Sequence, residues 1–178
     1  ATEAPAVDVY VNDSLIAPSL EPATPTAHLA LPAGEHSLML RVAGTEDEVL
    51  SGNLTVNAGE AQTVVALPDA EGVQVQVFPD DVSGVTETTA AASIINALPD
   101  SSADIALSDG TSLGTVEFGA TSSTATFDPG NYFVSYELTI GEDTGSLQTS
   151  SQTYYGGVYY NIILLPGGTF SPPELIVA

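Results

Sequence analysis

The chain has 178 residues, 43% of them apolar, and a formal charge of −22, with 23 acidic side chains against Arg41 as the one Arg or Lys. A surface so short of Lys and Arg excludes phosphate-backbone and anionic-lipid binding, and the absence of cysteine excludes a disulfide framework and thiolate metal sites. Charged residues are only 13% of the chain and Val, Ile and Leu fall in alternating runs, so the imbalance marks a folded protein with a negative skin, not a disordered acidic chain.

The opening Ala1-Thr2-Glu3-Ala4-Pro5 reads as a mature terminus left after cleavage, with no cleavable signal visible. Val7 to Val11 alternates as a strand and stops at Asn12-Asp13. Ala17 to Pro25, with three prolines, is expected to be an extended surface loop. His28 to Leu31 is predicted as a strand ending at the turn Pro32-Ala33-Gly34. His36 to Val42 follows and ends at Gly44. Leu54 to Val56 meets a turn at Asn57-Ala58-Gly59, and Gln62 to Leu67 is closed by Pro68-Asp69. Gly72 to Phe78 has strict period-two alternation, the mark of a half-buried strand. The polar segment Pro79 to Gly84 divides the chain into expected domains 1–82 and 83–178. Beyond it, strands are predicted at Ile94 to Leu98, Asp104 to Leu107, Thr115 to Phe118, Thr124 to Phe127, Tyr132 to Ile140, Ser146 to Thr149, Val158 to Leu165 and Glu174 to Val177. No window shows helical periodicity with caps, and no apolar stretch approaches the length that spans a bilayer.

The halves repeat each other. Asp8-Val9-Tyr10-Val11 recurs as Asp104-Ile105-Ala106-Leu107, and Leu31-Pro32-Ala33-Gly34 as Phe127-Asp128-Pro129-Gly130, both at an offset of 96. Leu67-Pro68 recurs as Leu165-Pro166 at an offset of 98. The strand-like run Ala92 to Leu98 precedes the second copy, and its counterpart falls ahead of residue 1. The expected fold is therefore all-β, two tandem immunoglobulin-like β-sandwiches, the first lacking its opening strand.

Chemistry is sparsely signalled. His28 and His36 lie in predicted strands, no Gly-x-Ser-x-Gly elbow is present, and no catalytic or cofactor-binding residue is assigned. Glu46-Asp47-Glu48, Asp80-Asp81 and Glu142-Asp143 read as solvated turns able to associate weakly with divalent cations. Tyr154, Tyr155, Tyr159 and Tyr160 form the densest aromatic run and are the candidate ligand-stacking residues, with Gly156-Gly157 as a hairpin turn between them. Asn12 and Asn53 begin N-glycosylation sequons.

Ala4 to Asn12, Leu31 to Gly34, and Leu54 through Gly59 to Ala66 resemble a bacterial and archaeal family known as domain of unknown function 4397. The likeness continues more weakly through Leu98-Pro99-Asp100, Ala103-Asp104-Ile105 and Asp128 to Tyr132. The resemblance implies a secreted or surface-attached tandem-repeat protein and transfers no catalytic residue. His36 stands where the family usually has the Tyr retained at Tyr132.

A sandwich short of a strand exposes an apolar groove and a row of unpaired backbone groups. The expected function is thus a non-enzymatic structural subunit, extracellular or on the cell surface, self-associating head to tail by strand addition. Val7, Val9, Val11 and Leu175, Ile176, Val177 are the candidate assembly strands. An adhesive or carbohydrate-binding module, with glycan as partner, is the alternative.

Overall fold

The computed structural model describes residues 5–69, 72–166 and 174–177, with backbone alone at 68–69 and 174–177. The described chain is all-β, without helix, and falls into two compact units, Ala1–Pro79 and Asp80–Ala178.

The first unit carries β1 (Val7–Val11), β2 (Ser14–Leu20), β3 (Gly34–Val42), β4 (Glu48–Val56), β5 (Ala61–Asp69) and β6 (Gly72–Asp80). The first four form an antiparallel sheet in the order β2-β1-β3-β4. Asn12 and Asp13 have φ of 49° and 61° and join Val11 directly to its partner Ser14. Two left-handed residues in a two-residue loop suit the right-handed twist of a hairpin, and Asn and Asp tolerate them. Val9, Val11, Leu38 and Leu40 make the core, backed by Leu20, Leu31, Leu50 and Val75. β5 and β6 form a separate two-stranded sheet.

The second unit carries β7 (Ala90–Asn96), β8 (Ser101–Leu107), β9 (Ser112–Glu117), β10 (Ala125–Phe127), β11 (Gly130–Tyr132), β12 (Val134–Ile140), β13 (Asp143–Gln148), β14 (Gln152–Tyr154), β15 (Tyr159–Leu165) and β16 (Glu174–Val177). One sheet runs β13-β12-β8-β9 and the other β10-β7-β15-β16, with β11-β14 as a small third ladder. Ile94, Ile162 and Leu164 of one sheet and Ile105, Leu107, Val116 and Leu138 of the other share a single core, which makes a β-sandwich. Strand β7 sits inside its sheet, antiparallel to β10 and parallel to β15, and all seven of its residues are buried. An uncharged, unalternating run is what burial on both faces requires. Asn96, fully buried, ends β7: its amide donates to the Ser101 and Val116 carbonyls at 3.2 Å, and its oxygen accepts from Leu98 N at 2.9 Å.

Four local expectations change. Ser14–Leu20 is a strand, although Pro18 falls within it, because β2 is a sheet edge and Pro18-Ser19 lie where the β1–β2 register shifts. His28 to Leu31 is not a strand. At the 96 offset Leu29-Ala30-Leu31 matches β10, whose ladder partner is β7; no strand of the first unit's described residues stands in β7's place, so this run has nothing to pair with. Tyr132 to Ile140 breaks at Phe133 into β11 and β12, which pair in different sheets. Gly156-Gly157 is a turn but not a hairpin: β14 pairs with β11, while β15 pairs with β7 and β16.

Candidate functional site: a short second sheet

The tyrosine run does not form a stacking surface. Tyr154 is buried, its ring packed among Phe127, Tyr132 and Tyr160 with centroids 5.5, 6.1 and 4.8 Å away. Among the described residues its hydroxyl has no hydrogen-bond partner, and burial first, then neighbouring Tyr160, push its pKa up. The Tyr160 hydroxyl accepts from Tyr155 N at 2.8 Å, and the Tyr159 hydroxyl is bonded to Ser93 Oγ at 2.7 Å, so both half-buried rings are tied down. Tyr155 alone of the four is solvent-exposed. The turn beside it is tight: a Cβ on Gly156 would run into the Glu87 carbonyl oxygen.

The histidines are accounted for without chemistry. His28 is exposed. His36 is buried; its Nε2 donates to the Pro32 carbonyl at 2.8 Å and its Nδ1 accepts from Asn12 Nδ2 at 2.8 Å. These two bonds fix one tautomer. Tyr132, at the 96 offset, donates from its hydroxyl to the Asp128 carbonyl at 3.0 Å, also four residues back. The two side chains therefore clamp the same turn in each repeat, much as a tyrosine corner does. Asn12, one sequon, already uses both ends of its amide, the oxygen accepting from Ser37 N at 3.0 Å. Asn53 of the other sequon is exposed on β4, an edge strand.

The acidic groups serve turns. Asp8 is buried, and its carboxylate accepts from Ser19 N at 2.8 Å and Gly44 N at 3.0 Å. Those two donors, Ser19 first, hold its pKa below the usual carboxylate range against the opposing push of burial. Asp81 and Asp109 cap their own turns and are lowered by Ser83 and Thr111. Among the described residues no group of three or more His, Asp or Glu gathers as a metal site. A shallow depression of about 630 Å³ on the solvent face of β8 and β12 has Asp104, Ser135, Glu137 and Gln148 among its walls, and no histidine.

The assembly strands are corrected in part. Val7, Val9 and Val11 lie in β1, which is bonded to β2 on one side and β3 on the other, so they border no free edge. Leu175, Ile176 and Val177 pair through their backbone with Leu164, Ile163 and Ile162, so β16 is held in its own sheet, at its edge. The deficit lies elsewhere. Where the second unit has four strands, β10-β7-β15-β16, the described residues of the first have β5 and β6, the positions of β15 and β16. Val64 is 38% exposed at the position of Ile162, which is 0% exposed, and Leu29 is 49% exposed at the position of β10. At matched positions Val9, Val11 and Leu38 retain 7%, 6% and 8% exposure, against 0%, 1% and 1% for Ile105, Leu107 and Val134. The repeat offsets carried this information. They show the missing opening strand directly, whereas the loss of the β10 strand depends on ladder pairing, which a sequence does not display.

Residues 1–103 match the family model described as Domain of unknown function (DUF4397). The chain belongs to this family. The DUF4397 match passes the division at Pro79 and takes in β7, ending within β8. No curated protein matches the chain. No helix among the described residues is long and apolar enough to cross a membrane.

Proposed function

We propose that this DUF4397 protein is a non-enzymatic structural subunit of an extracellular or cell-surface assembly, built from immunoglobulin-type sandwiches and joined to its neighbours by β-strand addition. One observation carries the reading: the first unit's second sheet has two described strands where its repeat has four. Exposed strand edges are normally blunted or covered, and a strand from another chain is one way to cover them. A contact between an edge at one end of a molecule and a donor from the next is heterologous, and a heterologous contact that does not close grows into a filament. The acidic skin keeps such subunits apart until cations screen it, and weak divalent association is part of the reading. If glycans are attached, exposed Asn53 suits them better than Asn12, whose amide nitrogen is engaged.

The test is electron microscopy of the purified protein over a range of concentrations with and without divalent cation. Filaments or strand-joined oligomers are the expected result. A monomer at every concentration that instead binds a glycan array would replace this reading with the adhesive one.

A further inference from the structure

We propose that the second unit makes its own covalent staple: Ser93 Oγ displaces the amide nitrogen of Asn161 to form an ester between β7 and β15, with Asp80 as the acid that releases ammonia. The step is a single turnover within one chain and does not depend on the assembly reading above.

Ser93 and Asn161 are register partners on the parallel pair β7–β15, 68 residues apart in sequence. They alternate with Ile94 and Ile162, which lie in the core, so both side chains stand on the other face of the sheet. They are nevertheless buried, and so is Asp80, the residue that opens the second unit. Ser93 Oγ donates to Asn161 Oδ1 at 2.9 Å, and Asn161 Nδ2 donates to Asp80 Oδ1 at 3.0 Å. The Tyr159 hydroxyl, two residues before Asn161, holds Ser93 Oγ from another side at 2.7 Å. Ser93 is the one polar residue in the run Ala90 to Ile95.

A nucleophile, an electrophile and an acid are thus side by side in a site shielded from water. The amide carbon is one bond from the oxygen that the serine hydroxyl touches, and a reactant held in this way reacts as if at very high concentration. Ser93 Oγ bonds to Asn161 Cγ while its proton passes to Oδ1, which gives a tetrahedral carbon. Asp80 in its acid form protonates Nδ2, the C–N bond breaks with its electron pair going to nitrogen, and ammonia leaves. The Oδ1 proton goes to the Asp80 carboxylate as the carbonyl re-forms. One hydroxyl and one primary amide are consumed, one ester and one ammonia are made, and the acid is regenerated. Burial then keeps water from hydrolysing the ester. The composition gives the staple its use. Without Cys or Lys, neither a disulfide nor a lysine amide can tie these strands, and a hydroxyl is the nucleophile the chain has there. The ester closes a long loop of the unfolded chain and removes conformations that folding would otherwise give up.

Intact mass spectrometry of the folded full chain is the test. The expected mass is one ammonia below that of the sequence. A peptic digest is expected to yield two joined peptides, one with Ser93 and one with Asn161, that hydroxylamine separates. Ser93→Ala and Asp80→Asn are each expected to have the full mass of their sequences. The readings on the wild-type chain stand whether or not the variants fold. Full sequence mass in the folded wild-type protein overturns the proposal. A loss of ammonia that persists in Ser93→Ala, or that leaves no joined peptides, also overturns it, because an asparagine that closes on its own backbone as a succinimide loses the same group. Joined peptides in undiminished yield from Asp80→Asn overturn the role given to that carboxyl.

Discussion

His36 and Tyr132 solve one problem with two chemistries. Each reaches back four residues to a backbone carbonyl and pins the turn before its strand. A side-chain donor on that carbonyl adds the modest net stability of a hydrogen bond and holds the geometry of the turn. His36→Ala is expected to destabilise the first unit by about 1 kcal/mol, the net worth of a neutral hydrogen bond or two, while His36→Tyr restores most of it; chemical denaturation of the two variants measures this. Asp8 makes a pH-dependent tie of the same kind. Its pKa is lowered in the fold, so the unfolded chain takes up the proton first. The stability contributed by the Ser19 and Gly44 bonds is whole above the ordinary carboxylate pKa and is lost as pH falls through and below it. Asp8→Asn should flatten that acid limb of the first unit's melting temperature against pH. Residues of this sort were poorly legible in the sequence. His36 showed as a histidine in a strand at the position matching Tyr132, with no sign of the bond it makes, and Asp8 as one acid among 23, because what distinguishes them is which backbone groups the fold brings to them.

Strands were more legible where a face alternates than where a partner decides. The period-two runs at Val7–Val11 and Gly72–Asp80 stood out because one side of each is apolar. Leu29–Leu31 has equal strand propensity and forms none, since a strand at that place is made by its neighbour and not by its own residues. Ser14–Leu20 shows the reverse: a proline at a bulge on an edge leaves the ladder intact around it. The tyrosines misled for the same reason. An aromatic run is visible, but whether a ring faces water depends on which sheet each half of the run joins, and β14 and β15 join different ones. Core depth also differs between units and gives a prediction. Ile105→Ala, at a fully buried site in the second sandwich, should cost about 2–5 kcal/mol, as large-to-small changes in tight cores do. Leu38→Ala, at a buried site that keeps slightly more exposure and has fewer buried neighbours in its cluster, should cost less. Urea titrations of both variants make the comparison.

At the scale of the whole chain, the charge governs stability. With 23 acids and one base, folding gathers like charges that the unfolded chain keeps further apart. Raising ionic strength or adding divalent cation should raise the melting temperature, and the first unit, with its thinner core, should melt at the lower of two transitions; calorimetry at low and high salt checks both. A melting profile indifferent to salt would contradict the acidic-skin argument.

Arg41 lies half-buried in β3, between β1 and β4, its guanidinium 5.2 Å from the centre of the Tyr10 ring. Being the one Arg in a chain without Lys, it also makes the peptide bond to Val42 the one place where trypsin can cut. That bond is shielded while β3 stays zipped between its neighbours, so scission reports the unzipping of a central strand and little else. The protein thus contains its own clock for the opening of its first half. Cleavage after Arg41 should speed up when His36 is replaced by Ala.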